Sequence, residues 1–213
     1  MDHIDHFLYV RHGQTDWNAK GLLQFQSDIP LNETGRAQAR EAGKRLTKLK
    51  GERLFFITSP YVRANETAQI ILNELNGSGV HSAGIVAHEG LKERFGGTLN
   101  GKTFDELMTL ADIDEMGFMP CGDYVWDSLK KLCPLAECST ELVKRMQEAI
   151  HAGYQYACNN NAKLVVVGHY GSMNTFSRHI LGWEKEFYIQ NATPYKLLNT
   201  KAEKGSWSIE EVQ

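Results

Sequence analysis

The chain has 213 residues, of which 42% are hydrophobic and 23% charged, ordinary figures for a folded globular protein with one substantial core or a core carrying an inserted subdomain. Its formal net charge of −3 argues against a nucleic-acid binder that works through a broad positive field, so any anionic ligand must be drawn by local cations. Four cysteines, Cys121, Cys133, Cys138 and Cys158, show neither C-x-x-C spacing nor histidines at zinc-finger distances, which points to free thiols rather than a metal site or a disulfide framework.

The acidic N-terminus, Met1-Asp2-His3-Ile4-Asp5-His6, lacks the basic start of a signal peptide, and no apolar run approaches membrane-spanning length. The expectation is a cytoplasmic protein with no membrane contact. Phe7-Leu8-Tyr9-Val10 reads as a buried strand within residues 6–10, stopping at Arg11-His12-Gly13. There the glycine permits a tight turn and a close backbone approach to a ligand. A polar, glycine-containing loop is expected through Pro30. A helix then opens at Leu31-Asn32-Glu33-Thr34-Gly35 and runs to about Leu49. Residues 53–58 form a second buried strand, ending at Ser59-Pro60, and Ala64, Ala68, Ile71, Leu72 and Leu75 mark a helix over about 63–75.

A third strand is predicted at roughly 84–87. From His88 to about residue 138 the pattern is irregular, and residues 89–138 are read as an inserted cap of short helices within a single domain over 1–213. Ser139 is the predicted N-cap of a long helix to about Ala157. Lys163–Gly168 is a strand that ends, like the first, in glycine and histidine, and a helix around 172–181 follows. Residues 195–199 and 207–212 read as a terminal hairpin. Strands alternating with helices imply an α/β sandwich.

Two strands thus end in Arg11-His12-Gly13 and Gly168-His169, and a third is followed by Arg63 about one helical turn into the next helix. If these strands are neighbours, two imidazoles and two guanidiniums meet above the sheet, in the usual location of ligand sites in open α/β sheets. Such a cluster repels itself unless it binds an anion, and phosphate suits the bidentate guanidinium geometry. The guanidiniums would also keep His12 neutral and nucleophilic.

The ordered set Arg11-His12-Gly13-x-Thr15-x-x-Asn18, Ser59-Pro60-x-x-Arg63-Ala64-x-x-Thr67-Ala68, Leu91-x-Glu93 and Val167-Gly168-His169 resembles the histidine phosphatase superfamily. Within it, the set is similar to the branch of cofactor-dependent phosphoglycerate mutases and fructose-2,6-bisphosphatases. The resemblance implies a three-layer α/β sandwich with a mostly parallel central sheet, helices on both faces and a cap over the strand C-terminal ends. It implies His12 as the phosphorylated nucleophile, with Arg11, Arg63 and His169 holding the phosphoryl oxygens. Glu93 would be the general acid that later activates water. Asn18 would contact the phosphoryl group, and Gln24 would lie near the substrate. The implied substrate is a small phosphorylated molecule, handled without metal or other cofactor by a monomer or homodimer.

Other residues leave choices open. Thr15 and Ser59 are either turn residues or supporting phosphate donors. His88, at a strand end near Glu93, reads as structural, as do Arg36 and Arg40 on a solvated helix face. The acids Asp112, Asp114, Glu115, Asp123 and Asp127 read as solvent-facing.

Hydrolase and mutase begin with the same phosphohistidine, but a mutase must retain a highly anionic intermediate. The mutases do so with a tyrosine just after the general acid and paired arginines in the cap. Here Glu93-Arg94 precedes Phe95, and no arginine lies between Arg94 and Arg145. Hydrolysis is the better expectation, with a mutase and a non-catalytic phospho-ligand module as alternatives. Phe25 replaces a common glycine and Tyr170 a common small residue, while Ala136-Glu137-Cys138 stands where Gly-Glu-Ser is usual. Phe25 and Tyr170 would either give the pocket an aromatic wall or pack into the core.

Overall fold

The structure is a computed structural model that describes residues 4–110, 133–182, 188–200 and 207–213. In the described residues the chain runs β1 (His6–Arg11), α1 (Asp16–Ala19), α2 (Glu33–Leu46), β2 (Arg53–Thr58), α3 (Val62–Leu75), β3 (His81–Ala87), α4 (Phe104–Leu110), α5 (Ser139–Asn159), β4 (Lys163–Gly168), α6 (Tyr170–Ile180), β5 (Pro194–Asn199) and β6 (Trp207–Glu211). One six-stranded sheet has the order β3-β2-β4-β1-β5-β6. The first four of these strands are parallel, and β5 and β6 form an antiparallel pair at the β1 edge.

The central strands are continuous apolar runs because both their faces are covered. Along β1, β2 and β4 the alternation of side chains sends Leu8, Val10, Leu54, Phe56, Val165 and Val167 to one face, against Ala42, Leu46, Ala64, Ala68 and Ile71. Tyr9, Phe55, Ile57, Leu164 and Val166 face the other way, against Leu142, Met146, Ile150, Met173 and Phe176. Helices α2 and α3 therefore cover one face, and α5 and α6 the other. This is the three-layer α/β sandwich with a mostly parallel sheet.

Register decides where the catalytic candidates meet. Arg11 pairs with Gly168 between β1 and β4, and Thr58 pairs with Val167 between β2 and β4. The three strands end level. The ladder extends one step past each end, with His12 N donating to Gly168 O at 3.0 Å and Ser59 N to Val167 O at 3.0 Å.

Several details differ from the sequence reading. The loop after β1 contains α1, nucleated by a reciprocal cap in which Asn18 N donates to Thr15 Oγ1 (3.1 Å) and Thr15 N to Asn18 Oδ1 (3.2 Å). Strand β3 begins at His81, three residues before its expected start. The long helix is capped by Cys138, not Ser139: Cys138 N donates to Glu141 Oε2 at 3.1 Å, and Ser139 is a buried first-turn residue. Gly13 has no left-handed backbone; its lack of a side chain is needed because a Cβ there would lie 2.5 Å from Gly35 O at the start of α2. The close approach that the structure shows is between two backbones. Of the expected cap, residues 111–132 lie outside the described residues, and with them Cys121 and the acids at 112, 114, 115, 123 and 127.

Candidate active site

Level strand ends bring the predicted residues together. The rings of His12 and His169 lie 5.2 Å apart, centroid to centroid. A cavity of about 130 Å³ is lined by Arg11, His12, Asn18, Leu22, Leu23, Gln24, Phe25, Arg63, Glu93, Tyr170 and Gly171. Of the ten predicted site residues, Thr15 and His169 do not line it. His169 is tilted against the His12 ring, with the Tyr61 ring edge-on at 5.6 Å. Thr15 is fully buried and caps α1, its hydroxyl bonded to Asn18, which does line the cavity.

His12 is oriented by its own turn. Its Nδ1 lies 2.7 Å from Gly13 O, and a carbonyl only accepts, so Nδ1 carries the proton and Nε2 keeps its lone pair. Burial, followed by the Arg63 and Arg11 charges, pushes the His12 pKa well below the ordinary imidazole value. His169 shifts the same way, first through burial and then through Arg63, His12, Arg145 and Arg11. Both rings are therefore neutral at neutral pH.

Arg63 is completely buried, with Nη1 donating to Ser27 O at 2.7 Å and Nη2 to Phe25 O at 2.9 Å. Burial lowers its pKa to about 10, against the opposing pull of Glu93. Arg11 donates from Nη1 to Ile189 O at 3.1 Å and lies 4.9 Å beneath the Tyr170 ring. Each buried polar atom without a partner costs about 1–3 kcal/mol. Among the described residues, Arg11 Nε, Arg63 Nε, Gln24 Oε1 and both ring nitrogens of His169 are in that state. On the cavity wall the Nε donors of Arg11 and Arg63 stand prepared for an acceptor, as an oxyanion-binding site requires.

Glu93 also lines the cavity. Its Oε2 accepts from Gly171 N (3.0 Å), and its Oε1 from Ser172 N (2.7 Å) and Arg94 N (2.8 Å). The carboxylate thus sits on the N-terminus of α6, the helix that directly follows His169.

Sequence reasoning missed the supports of this segment. Arg145 donates to Gly90 O (2.8 Å), Lys92 O (2.7 Å) and Glu93 O (3.4 Å), and pairs with Glu137 at 2.5 and 2.7 Å. Arg94 is buried away from the cavity, donating to Glu137 O, Ser139 Oγ and Thr175 Oγ1. No spacing motif signals these contacts. His88 acts structurally, accepting from Gly90 N at 3.0 Å ahead of Glu93. Arg36 pairs with Glu33 and Glu66. Ser59 Oγ accepts from Tyr61 N at 3.4 Å, a turn contact. Phe25 does both things expected of it: it lines the cavity and packs with Leu99, Leu107, Cys133 and Ala136.

Among the described residues, no group of three or more His, Cys, Asp or Glu side chains is arranged to hold a metal ion. No helix there is long and apolar enough to cross a membrane.

A buried pair of neutral imidazoles, two guanidiniums and a carboxylate thus meet at the C-terminal edge of a parallel sheet. The chain belongs to the histidine phosphatase superfamily (branch 1), whose family profile matches residues 7–213. It is 28% identical to the uncharacterized phosphatase PhoE of Bacillus subtilis (strain 168) over 202 residues, covering 95% of this chain and 91% of that protein. It is 44% identical to a 2,3-bisphosphoglycerate-dependent phosphoglycerate mutase of Methylobacterium sp. (strain 4-46) over 136 residues, covering 60% of this chain and 64% of the mutase. Other mutases of this name match over about half their length, at 46% to 47%. In fold, the chain is similar to a phosphoglycerate mutase from Bacillus anthracis (TM-score 0.78, 20% identity, 97% of this chain and 92% of that one). It is also similar to a mycobacterial glucosyl-3-phosphoglycerate phosphatase (TM-score 0.70, 23% identity, 97% and 98%). Family membership implies a small phosphorylated substrate.

Proposed function

We propose that the protein is a phosphomonoester hydrolase working through a phosphohistidine on His12. His12 Nε2 attacks phosphorus while the bond to the leaving oxygen breaks, and Glu93 gives that oxygen its proton. Arg11, Arg63 and His169 hold the phosphoryl oxygens as charge spreads over them, with Asn18 and Gln24 at the rim. Glu93 then takes a proton from water, whose oxygen attacks phosphorus. The P–N bond breaks, inorganic phosphate leaves and the His12 lone pair returns.

One observation favours hydrolysis over mutase chemistry. Both cations on the cavity wall, Arg11 and Arg63, stand at the histidine end, and the remainder of the wall includes Leu22, Leu23, Phe25 and Tyr170. Among the described lining residues no further cation is available to retain a bisphosphorylated acid. Arg94, the nearest arginine in sequence, is turned into the protein and spent on Glu137, Ser139 and Thr175. The same wall supports phosphomonoesters with an apolar or flat alcohol. Residues 89–138 are read as the cap over this mouth, and unpaired thiols at Cys133, Cys138 and Cys158 support a reducing, cytoplasmic setting.

The test is a panel of phosphomonoesters followed for phosphate release and isomerisation together, with His12→Ala alongside. Phosphate release without isomerisation, lost in the variant together with an alkali-stable, acid-labile phosphoryl label, is the expected result. Isomerisation without net release would make the protein a mutase. A His12→Ala phosphate-release rate equal to the parent's would rule out the phosphohistidine mechanism, and binding without any release by the parent would leave a binding module.

A further inference from the structure

Arg63 and Glu93 come from different parts of the chain, yet one four-residue loop touches both Arg63 and the main chain just after Glu93. Residues 24–27 run between them. On the Arg63 side, the carbonyls of Phe25 and Ser27 both receive the guanidinium, at 2.9 and 2.7 Å. Asp28 Oδ1 accepts from Val62 N at 2.6 Å, tying the loop to the first turn of α3 beside Arg63. On the Glu93 side, the Gln26 side chain grips the main chain twice. Its Nε2 donates to Arg94 O, and its Oε1 accepts from Gly96 N at 3.2 Å.

The loop adopts a costly shape to do this. Phe25 has φ +38°, a left-handed conformation uncommon for an aromatic residue and stabilised only where surroundings demand it. Its ring fills the space beside Gly96, where any Cβ would come within 2.4 Å of it. The ring is therefore wedged against the segment that carries Glu93 while its carbonyl serves Arg63.

We propose that loop 24–27 is a coupler that sets the phosphoryl-holding guanidinium and the Glu93 carboxyl at a fixed separation, with Gln26 as the positioning residue for Glu93. This rests on Glu93 being the general acid. Gln26 touches neither His12 nor the cavity; it acts through the Glu93–Gly96 main chain. A displaced acid hurts only leaving groups that need a proton, so the effect depends on the alcohol.

The experiment compares kcat/KM for glycerol 2-phosphate, a poor leaving group, with that for 4-nitrophenyl phosphate, a good one. For Gln26→Met, which keeps length but loses both bonds, the expected fall is about tenfold or more on the alkyl ester and under about threefold on the aryl ester, set against the 10²–10⁴-fold typical of a whole general acid. Gln26→Glu, which keeps the acceptor for Gly96 N but loses the donor to Arg94 O, should fall between. In a Glu93→Gln background, Gln26→Met should leave the alkyl-to-aryl ratio unchanged, because the group it positions is gone. Equal slowing on both esters, or full additivity with Glu93→Gln, overturns the coupler. If Glu93→Gln alone shows no leaving-group dependence, the acid assignment has failed and the coupler falls with it; that outcome is read from a different variant and is distinguishable.

Discussion

At the sheet end of the cavity, Arg11, His12 and His169 are buried and fixed by strand register, and Arg63 is buried at the start of α3. At the loop end, Leu22, Leu23, Phe25 and Tyr170 are apolar and come from the loop after α1 and the start of α6. The first end holds two guanidiniums and prepared donors, so under the proposed function it takes one group, a phosphoryl. The second offers area and aromatic surface but little hydrogen bonding, so it discriminates weakly among alcohols, since apolar contacts carry little geometric selectivity. A strict end joined to a permissive end would let the proposed hydrolase serve several esters. Glu93 sits between them, its carboxylate held on the α6 N-terminus.

Four outcomes would break or sharpen that contrast. The largest effect belongs to the strict end. Arg63→Lys keeps a cation but loses the planar fork, and kcat/KM should fall by about 10²–10³ on every ester, the typical loss for one oxyanion-stabilising donor. Next, Glu93→Gln should cost about 10²-fold or more on alkyl esters and far less on 4-nitrophenyl phosphate, measured as the ratio of the two rates. Uniform losses would place Glu93 with the strict end. At the permissive end, Tyr170→Ala should raise KM about tenfold for aryl phosphates and leave glycerol 2-phosphate nearly unaffected, the size expected from losing an aromatic contact. An unchanged aryl-to-alkyl ratio would make Tyr170 a partner of Arg11 only.

The last effect is on stability and comes from the strict end alone. The cationic forms of His12 and His169 are disfavoured in the folded protein. Above about pH 6.5, the ordinary imidazole value, folded and unfolded forms are both neutral and nothing is lost. Below it the unfolded chain takes up protons that the folded one refuses, so stability falls as pH drops, approaching about 1.4 kcal/mol per pH unit per ring until the lowered pKa values are reached. Inorganic phosphate or vanadate should offset this by compensating the positive charge. Melting curves from pH 7.5 to 5, with and without the anion, would show it as a stabilisation that grows toward acid; a gain independent of pH would contradict the shift.

What was legible in the sequence follows from what is local. Phe7–Val10, Arg53–Thr58 and Lys163–Gly168 announce buried strands because each is apolar on both faces. The Arg11-His12-Gly13 and Gly168-His169 endings are visible because strand and turn are adjacent in the chain. The caps were less legible: Thr15 stood open between turn residue and phosphate donor and Ser139 read as an N-cap, and which residue caps a turn depends on backbone angles that composition does not state. The meaning of Gly13 was partly hidden too, since its constraint is Gly35, 22 positions away.

By itself, then, the chain's order of residues determined which elements form and which side chains could handle a phosphoryl group, since period, burial preference and turn chemistry act over a few residues. The tertiary structure alone decided that Arg94 faces inward while Arg63 reaches the cavity, that Arg145 and Gln26 hold the Glu93 segment, and that Phe25 fills the space Gly96 leaves open. Those choices depend on register across β2, β4 and β1 and on loops meeting from distant parts of the chain. No short stretch encodes a distance between two others.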